Sequence, residues 1–224
     1  MTSSIWAVLI TAAAFQAGRF LQKKTRWTLC NPLLISVAIL IPFLLLTGIP
    51  NEAYQQGMTS ISWLMTPCTV CFAIPMYRHL QSLKGHLGAI VLGVVAGSAV
   101  SLSLVGLLCA LFRLDGSITW SLLPKSVTTS IAQPLSESMG GLAPLTTAVV
   151  AITGLAGAVI GPWMCKVFRI HDPVAMGVAY GTASHVIGTT KATEADPIAG
   201  AVSSLSLIIA GILTAILFPF LPVG

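Results

Sequence analysis

The feature that most constrains this chain is a succession of apolar runs, each near the length needed to cross a bilayer. About 20 helical residues span the roughly 30 Å of hydrocarbon in a membrane. Runs of that order occupy residues 5–21, 31–49, 60–77, 86–112, 142–165 and 198–222. They are apolar on every face rather than alternating, which fits membrane helices and not the surface helices of a soluble domain. Charged residues make up only 8 % of the sequence, against about a quarter in an ordinary soluble domain. The fold class expected is therefore all-α: a polytopic transmembrane helix bundle. Residues 1–224 form one integral membrane domain, whose first four spans lie within 5–112.

The net charge of +5 would suit nucleic acid if it formed a patch, but the bases sit at the ends of apolar runs, where orientation signals belong. Arg19, Lys23, Lys24 and Arg26 follow the first run, Glu52 without a base follows the second, and Arg78 and Lys84 follow the third. This alternation places the amino terminus outside and the first and third loops in the cytoplasm, and no nucleic-acid partner is expected. Bases follow the first apolar run rather than precede it, the reverse of a secretory signal, so that run is read as a retained span. Cys30, Cys68, Cys71, Cys109 and Cys165 lie in or beside apolar segments, and Cys68 and Cys71 form a lone CxxC. They read as small buried hydrophobes; no metal or cofactor is expected.

Two further segments, 118–139 and 173–192, are apolar but interrupted by polar residues. Ser126, Val127 and Gly141 match His185, Val186 and Gly200 at an offset of 59, and Gly154 and Pro162 match Gly211 and Pro219 at 57. The residues thus suggest two repeat units, 118–165 and 173–222, each an interrupted helix followed by a full span. If the interrupted segments re-enter rather than cross, the units are inverted, the architecture in which carriers bind substrate between broken helices. Re-entry also returns Lys166 and Arg169 to the cytoplasm, as their charge prefers.

The candidate site comes from these interruptions. Pro124 is a natural first residue of a half-helix, which would set Lys125, Thr128 and Thr129 on one face with Ser126 beside them. A half-helix amino terminus, an ammonium and hydroxyls together suit a carboxylate. The alternative is a lysine that snorkels to the interface or pairs with Glu137. In the second interruption Thr182, His185 and Thr189 share a face next to Ser184, with Gly181 and Gly188 admitting close approach. His185 can change charge near neutral pH and carry a proton, or serve as a polar bridge between helices. Lys191 and Glu194 read as a surface pair. Ser184 and His185 are adjacent, so their side chains diverge on a helix; neither GxSxG nor HExxH occurs, and no enzyme activity is expected.

These residues carry a resemblance. "NPLLI" (Asn31 to Ile35), "FLLLTGI" (Phe43 to Ile49), Pro67, the A-x-P-x-Y of Ala73, Pro75 and Tyr77, "LPKSVTT" (Leu123 to Thr129), "GTASHVIGT" (Gly181 to Thr189) and "AGAVSSLSLIIAGILTAILFP" (Ala199 to Pro219) resemble the CidB/LrgB family of bacterial inner-membrane proteins. That family is similar to the carboxy-terminal half of the plant plastidal glycolate/glycerate translocator. Ser130 stands where the family usually has proline, and Thr190 where it usually has alanine. The resemblance implies transport of small monocarboxylates such as glycolate, glycerate or pyruvate, together with a small LrgA/CidA-like membrane partner. It also carries a second implication, holin/antiholin-like modulation of murein hydrolase activity and autolysis. On the transport reading Lys125, Ser126, Thr128 and Thr129 hold the anion, Ser184, His185 and Thr189 face it, and His185 moves a proton. Gly93 and Gly97 form a GxxxG that would serve a homo-oligomer.

Overall fold

The computed structural model describes residues 2–25, 32–64, 67, 70–71 and 73–221, and among them every regular element is a helix. Asn31, Cys30 and Cys68, and with them one half of the CxxC, lie outside the described residues. The chain divides into two compact units, Met1–Phe72 and Ala73–Gly224.

The first unit contains α1 (Thr2–Thr25), α2 (Pro32–Thr47) and α3 (Asn51–Trp63). The Thr11 hydroxyl on α1 donates to the Ala7 carbonyl and shares a 2.7 Å hydrogen bond with the Tyr54 hydroxyl on α3. Trp6 tilts against the Tyr54 ring at 6.3 Å. Gly18 gives α2 room: a Cβ there would meet the Pro32 carbonyl oxygen at 2.7 Å. The turn expected at Thr47 to Pro50 is present, with Gly48 at φ +64°. The apolar run 60–77 differs from expectation because it is not one helix. α3 stops at Trp63 and a short α4 (Ala73–Arg78) follows; Pro67, between them, has no N–H to continue the ladder.

The second unit continues from α4 with α5 (Leu80–Leu111), α6 (Gly116–Leu122), α7 (Thr129–Ser138), α8 (Ala143–Val167), α9 (Pro173–Ala195) and α10 (Pro197–Leu217), closed by a 3₁₀ turn at Phe218–Phe220. Aspartate-proline pairs start the last two long helices. Asp172 Oδ1 accepts the Ala175 N–H, and Asp196 Oδ1 accepts those of Ile198 and Ala199, supplying partners that a helix start lacks. α5, α8 and α10 are long and apolar enough to cross a membrane, and α10 is the innermost, with 56 % of its span buried. Its buried face is built from small residues, including Ala199, Gly200, Ser203 and Gly211.

Both interrupted segments double back. Near the end of α6, Ser121 Oγ accepts the Leu142 N–H at 2.7 Å, 21 residues further along. A continuous helix would separate such residues by about 30 Å, so α6 and α7 form a hairpin. Trp120 against Phe218, with Leu102, Val105, Cys109 and Leu123, anchors it. In α9 the break falls at His185, whose backbone sits at φ 42°, ψ −137°. Tyr180 then packs against Ala192 and Ala199, although a straight helix would hold residues 180 and 192 about 18 Å apart. The first hairpin opens toward the start of α8, at Leu142 and Thr146. The second opens toward its end, where Cys165, Lys166, Met176, Lys191 and Ala195 line one cleft. The two breaks, at residues 123–128 and 185, fall on the positions matched by the 59-residue offset.

Glycines at one face of α8 let the second hairpin approach. A Cβ on Gly154, Gly157 or Gly161 would collide with His185, Ser184 or Tyr180 respectively. Gly157→Val therefore overpacks this contact and is expected to cost about 1–3 kcal/mol, lowering Tm in detergent. Gly116→Ala, where nothing lies within 4 Å, should leave Tm near the parent's; equal Tm values for both variants would contradict the packing described.

Candidate functional site

The first break has a different local shape from the one its sequence suggests. Pro124 does not start a half-helix; residues 123–128 make successive turns, with Lys125 N–H donating to Leu122 O and Val127 N–H to Pro124 O, each at 3.2 Å. The half-helix α7 begins at Thr129, with Thr128 at its N-cap position. The chain has already turned away from α6 when it reaches Pro124, so Lys125, Thr128 and Thr129 do not share a helical face. Thr128 bonds the Ser130 hydroxyl at 3.3 Å, and Thr129 is half-buried at the start of α7.

Lys125 instead points its ammonium toward Ser126 Oγ, 3.5 Å away, and Ser126 is bonded to Ser101 on α5 at 2.9 Å. Lys125 has no carboxylate partner among the described residues, where the one ion pair is Lys191–Glu194. Glu137 accepts from Gln133 at 3.4 Å rather than from Lys125. An unpaired ammonium at bilayer depth costs about 2.5–3.5 kcal/mol on insertion scales, so it requires water or an anion. Both have room beside it. Lys125, Ser126, Ser101, Gly97, Val178 and Thr182 border a cavity of about 260 Å³ between the first break, α5 and α9.

The glycines facing this cavity are not free for a second copy. A Cβ at Gly93 would meet Val178 Cγ1, and one at Gly97 would meet Thr182 Cγ2, each at 2.9 Å. The GxxxG expected to serve a homo-oligomer is therefore used inside the chain, because the hairpin of α9 needs the same close approach that a partner helix would.

The second break is held tightly. His185 is buried, and its Nε2–H donates to the Val150 carbonyl on α8 at 2.9 Å. Since a carbonyl can only accept, Nε2 carries the proton and Nδ1 is the free nitrogen of the neutral ring. Val150 also packs against Val127 from the first break, so the two tips converge on one turn of α8. Thr189 is wholly buried, donating to the His185 carbonyl and bonded to Ser203 on α10 at 2.8 Å. Ser184 is pressed against Gly157 and lines an apolar groove between α8 and α9. Thus Lys125 and Ser126 share the cavity, while His185 is held against α8 at Val150 and does not line it. Thr128 and Thr129 lie along the next half-helix, while Ser184 and Thr189 turn to neighbouring helices. Reasoning from sequence missed Ser101 and put Thr182 on the His185 face without giving it a ligand; a hydroxyl one turn beyond the Gly93–Gly97 pair was the available signal for Ser101.

A model described as the LrgB-like family matches residues 11–223. The chain is similar to the uncharacterized protein YwbG of Bacillus subtilis (strain 168), 36 % identical over 221 residues, covering 99 % of this chain and 98 % of that protein. It is also similar to the antiholin-like protein LrgB of the same organism, 32 % identical over 218 residues, covering 97 % and 94 %. No solved structure matches it.

The backbone at His185 is in a region that costs a non-glycine residue on the order of 1–3 kcal/mol, and the bond to Val150 helps to hold it there. His185→Gly removes both the strain and the bond, leaving the Val150 carbonyl with only its partner within α8. Hydrogen exchange over residues 180–190 is expected to accelerate at least tenfold in this variant; unchanged protection would show that the bond does not fix the tip.

Proposed function

The chain belongs to the LrgB-like family and is a multi-pass membrane protein, and from that premise we propose that it is a secondary transporter of small monocarboxylates in the bacterial inner membrane. The class is that of glycolate, glycerate or pyruvate, coupled to protons. The observation that carries the reading is Lys125: a cation with no carboxylate partner among the described residues, on the wall of a cavity where two broken helical hairpins meet. Carriers build midplane sites from such breaks, and the hairpins opening to opposite ends of α8 support an inverted repeat. The charges of the second unit agree with this topology. Arg78 precedes α5 and Lys84 lies near its start, the first hairpin returns to the face where α5 ends, and α8 then brings Lys166 and Arg169 back to the basic side.

In this cycle the substrate carboxylate neutralises Lys125 and takes hydrogen bonds from Ser126 and Ser101. His185 accepts a proton at Nδ1. A second positive charge within reach of the anion strengthens its binding, and by reciprocity the bound anion favours the protonated ring. Entry of the pair removes the charge that would otherwise oppose a negative-inside potential. Rocking of the hairpins against α5 then exposes the site to either side. Ser184 rests on Gly157 and the His185 Nε2–H is taken by Val150, an arrangement that supports a carrier rather than a hydrolase. A small LrgA/CidA-like membrane protein is the proposed partner.

The name of one relative, antiholin-like protein LrgB, favours a second reading, in which the chain modulates murein hydrolase activity and autolysis. Such a role makes no use of a lysine beside a midplane cavity. Uptake of labelled glycolate and pyruvate into proteoliposomes, with and without an inward proton gradient, separates the two. Gradient-driven uptake is expected, abolished by Lys125→Ala and uncoupled from the gradient by His185→Ala. Parent-level uptake by both variants would sink the transport site, and leakage of unrelated solutes would favour the antiholin-like reading.

A further inference from the structure

The 260 Å³ cavity beside Lys125 is separated from a crevice of about 10 Å³ by three hydroxyl-bearing residues that border both: Ser101, Ser126 and Thr182. Ser101 and Ser126 bond each other at 2.9 Å. The Thr182 hydroxyl is buried with no partner among the described residues, in a residue only 6 % exposed. Most buried hydroxyls in a folded protein find a partner, and a helical threonine ordinarily donates to the carbonyl four residues back. Thr189, Thr190 and Thr193 on the same helix do so.

Packing explains the exception. The Thr182 methyl sits against Gly97 of α5, where not even a Cβ would fit, and a β-branched side chain with its methyl fixed has its hydroxyl direction fixed too. The remaining residues around the crevice include Ser98 and Thr214, and Thr182 also lines the cavity that Lys125 borders, so its hydroxyl is held in a polar corner beside that cavity. A buried donor without a partner discriminates strongly, because a ligand that supplies the missing acceptor gains a bond that one lacking it leaves unmade.

Resting on the transport reading above, we infer that Thr182 is a specificity-determining residue: its hydroxyl bonds the oxygen on the carbon next to the substrate carboxylate while Lys125 holds the carboxylate itself. The site then selects monocarboxylates oxygenated at that carbon over unsubstituted ones of similar size. Thr182 touches substrate and sets which acid is carried, whereas Gly97 acts through it by fixing the methyl. Ser101 and Ser126 complete the polar wall.

The test compares uptake of labelled glycolate and acetate by the full chain in proteoliposomes. The parent is expected to prefer glycolate at least tenfold. Thr182→Val, nearly the same in shape, is expected to lower the glycolate-to-acetate ratio about tenfold, and Thr182→Ser, which keeps the hydroxyl, should hold that ratio within about threefold of the parent's. A parent that carries both acids equally overturns the role of Thr182 while leaving transport intact. An unchanged ratio in Thr182→Val overturns it as well. Should the valine variant fail to insert, the serine variant decides: a collapsed ratio there contradicts the proposal. A parent that carries neither acid overturns the transport reading and this inference together.

Discussion

The close approach of α8 to the hairpin of α9 is the contact on which the rest of the second unit depends. A helix broken at bilayer depth frees backbone groups that lipid cannot satisfy, so it is tolerated only when enclosed by protein or lining a watery cavity. Gly154, Gly157 and Gly161 lower one face of α8 until His185, Ser184 and Tyr180 fit against it. With α8 that close, the His185 ring reaches the Val150 carbonyl, and the unusual backbone at residue 185 is fixed rather than mobile. The other sides are closed in the same way, by Gly177 and Gly181 against α10 and by Gly93 and Gly97 on α5. Small residues therefore do in this unit what bulky ones do in a soluble core: they set distances between backbones.

The same enclosure explains why polar side chains here divide into two kinds. Thr189, Ser203, Ser204 and Thr146 are buried and satisfied by local carbonyls or by one another, and they serve to hold helices together. Lys125 and the Thr182 hydroxyl are not satisfied in this way, and both border the cavity beside the first break. Residues of the first kind are structural whatever their position in a motif, whereas Lys125 and Thr182 have bonding capacity left for a ligand.

Much of this architecture was legible in the sequence because a lysine, a histidine and runs of hydroxyls cannot be placed in an apolar run without consequence. The two interrupted segments, their positions and the long spans around them follow from that alone. Local detail was less legible where two rules competed. Pro124 suits the first position of a helix and also a turn, and the fold takes the turn, moving the start of α7 to Thr129. Pro67 divides a run whose hydropathy reads as one span. The Gly93–Gly97 pair announces a close helix approach but not the identity of the neighbour, which is α9 of the same chain. Ser184 and Thr189 flank His185 in sequence, yet the reversal at residue 185 sends them toward α8 and α10, a direction that helical spacing cannot anticipate.

The central claim is that the wall formed by Lys125 and Ser126 is a water-accessible carboxylate site between the two breaks. The most direct test replaces the five native cysteines, introduces Ser126→Cys, and follows its alkylation by a small charged thiol reagent in the presence of glycolate or chloride. The cysteine introduced at position 126 is expected to react from water, and glycolate, but not chloride, to slow the reaction severalfold. A thiol that never reacts, or one that reacts equally fast with and without glycolate, would contradict it.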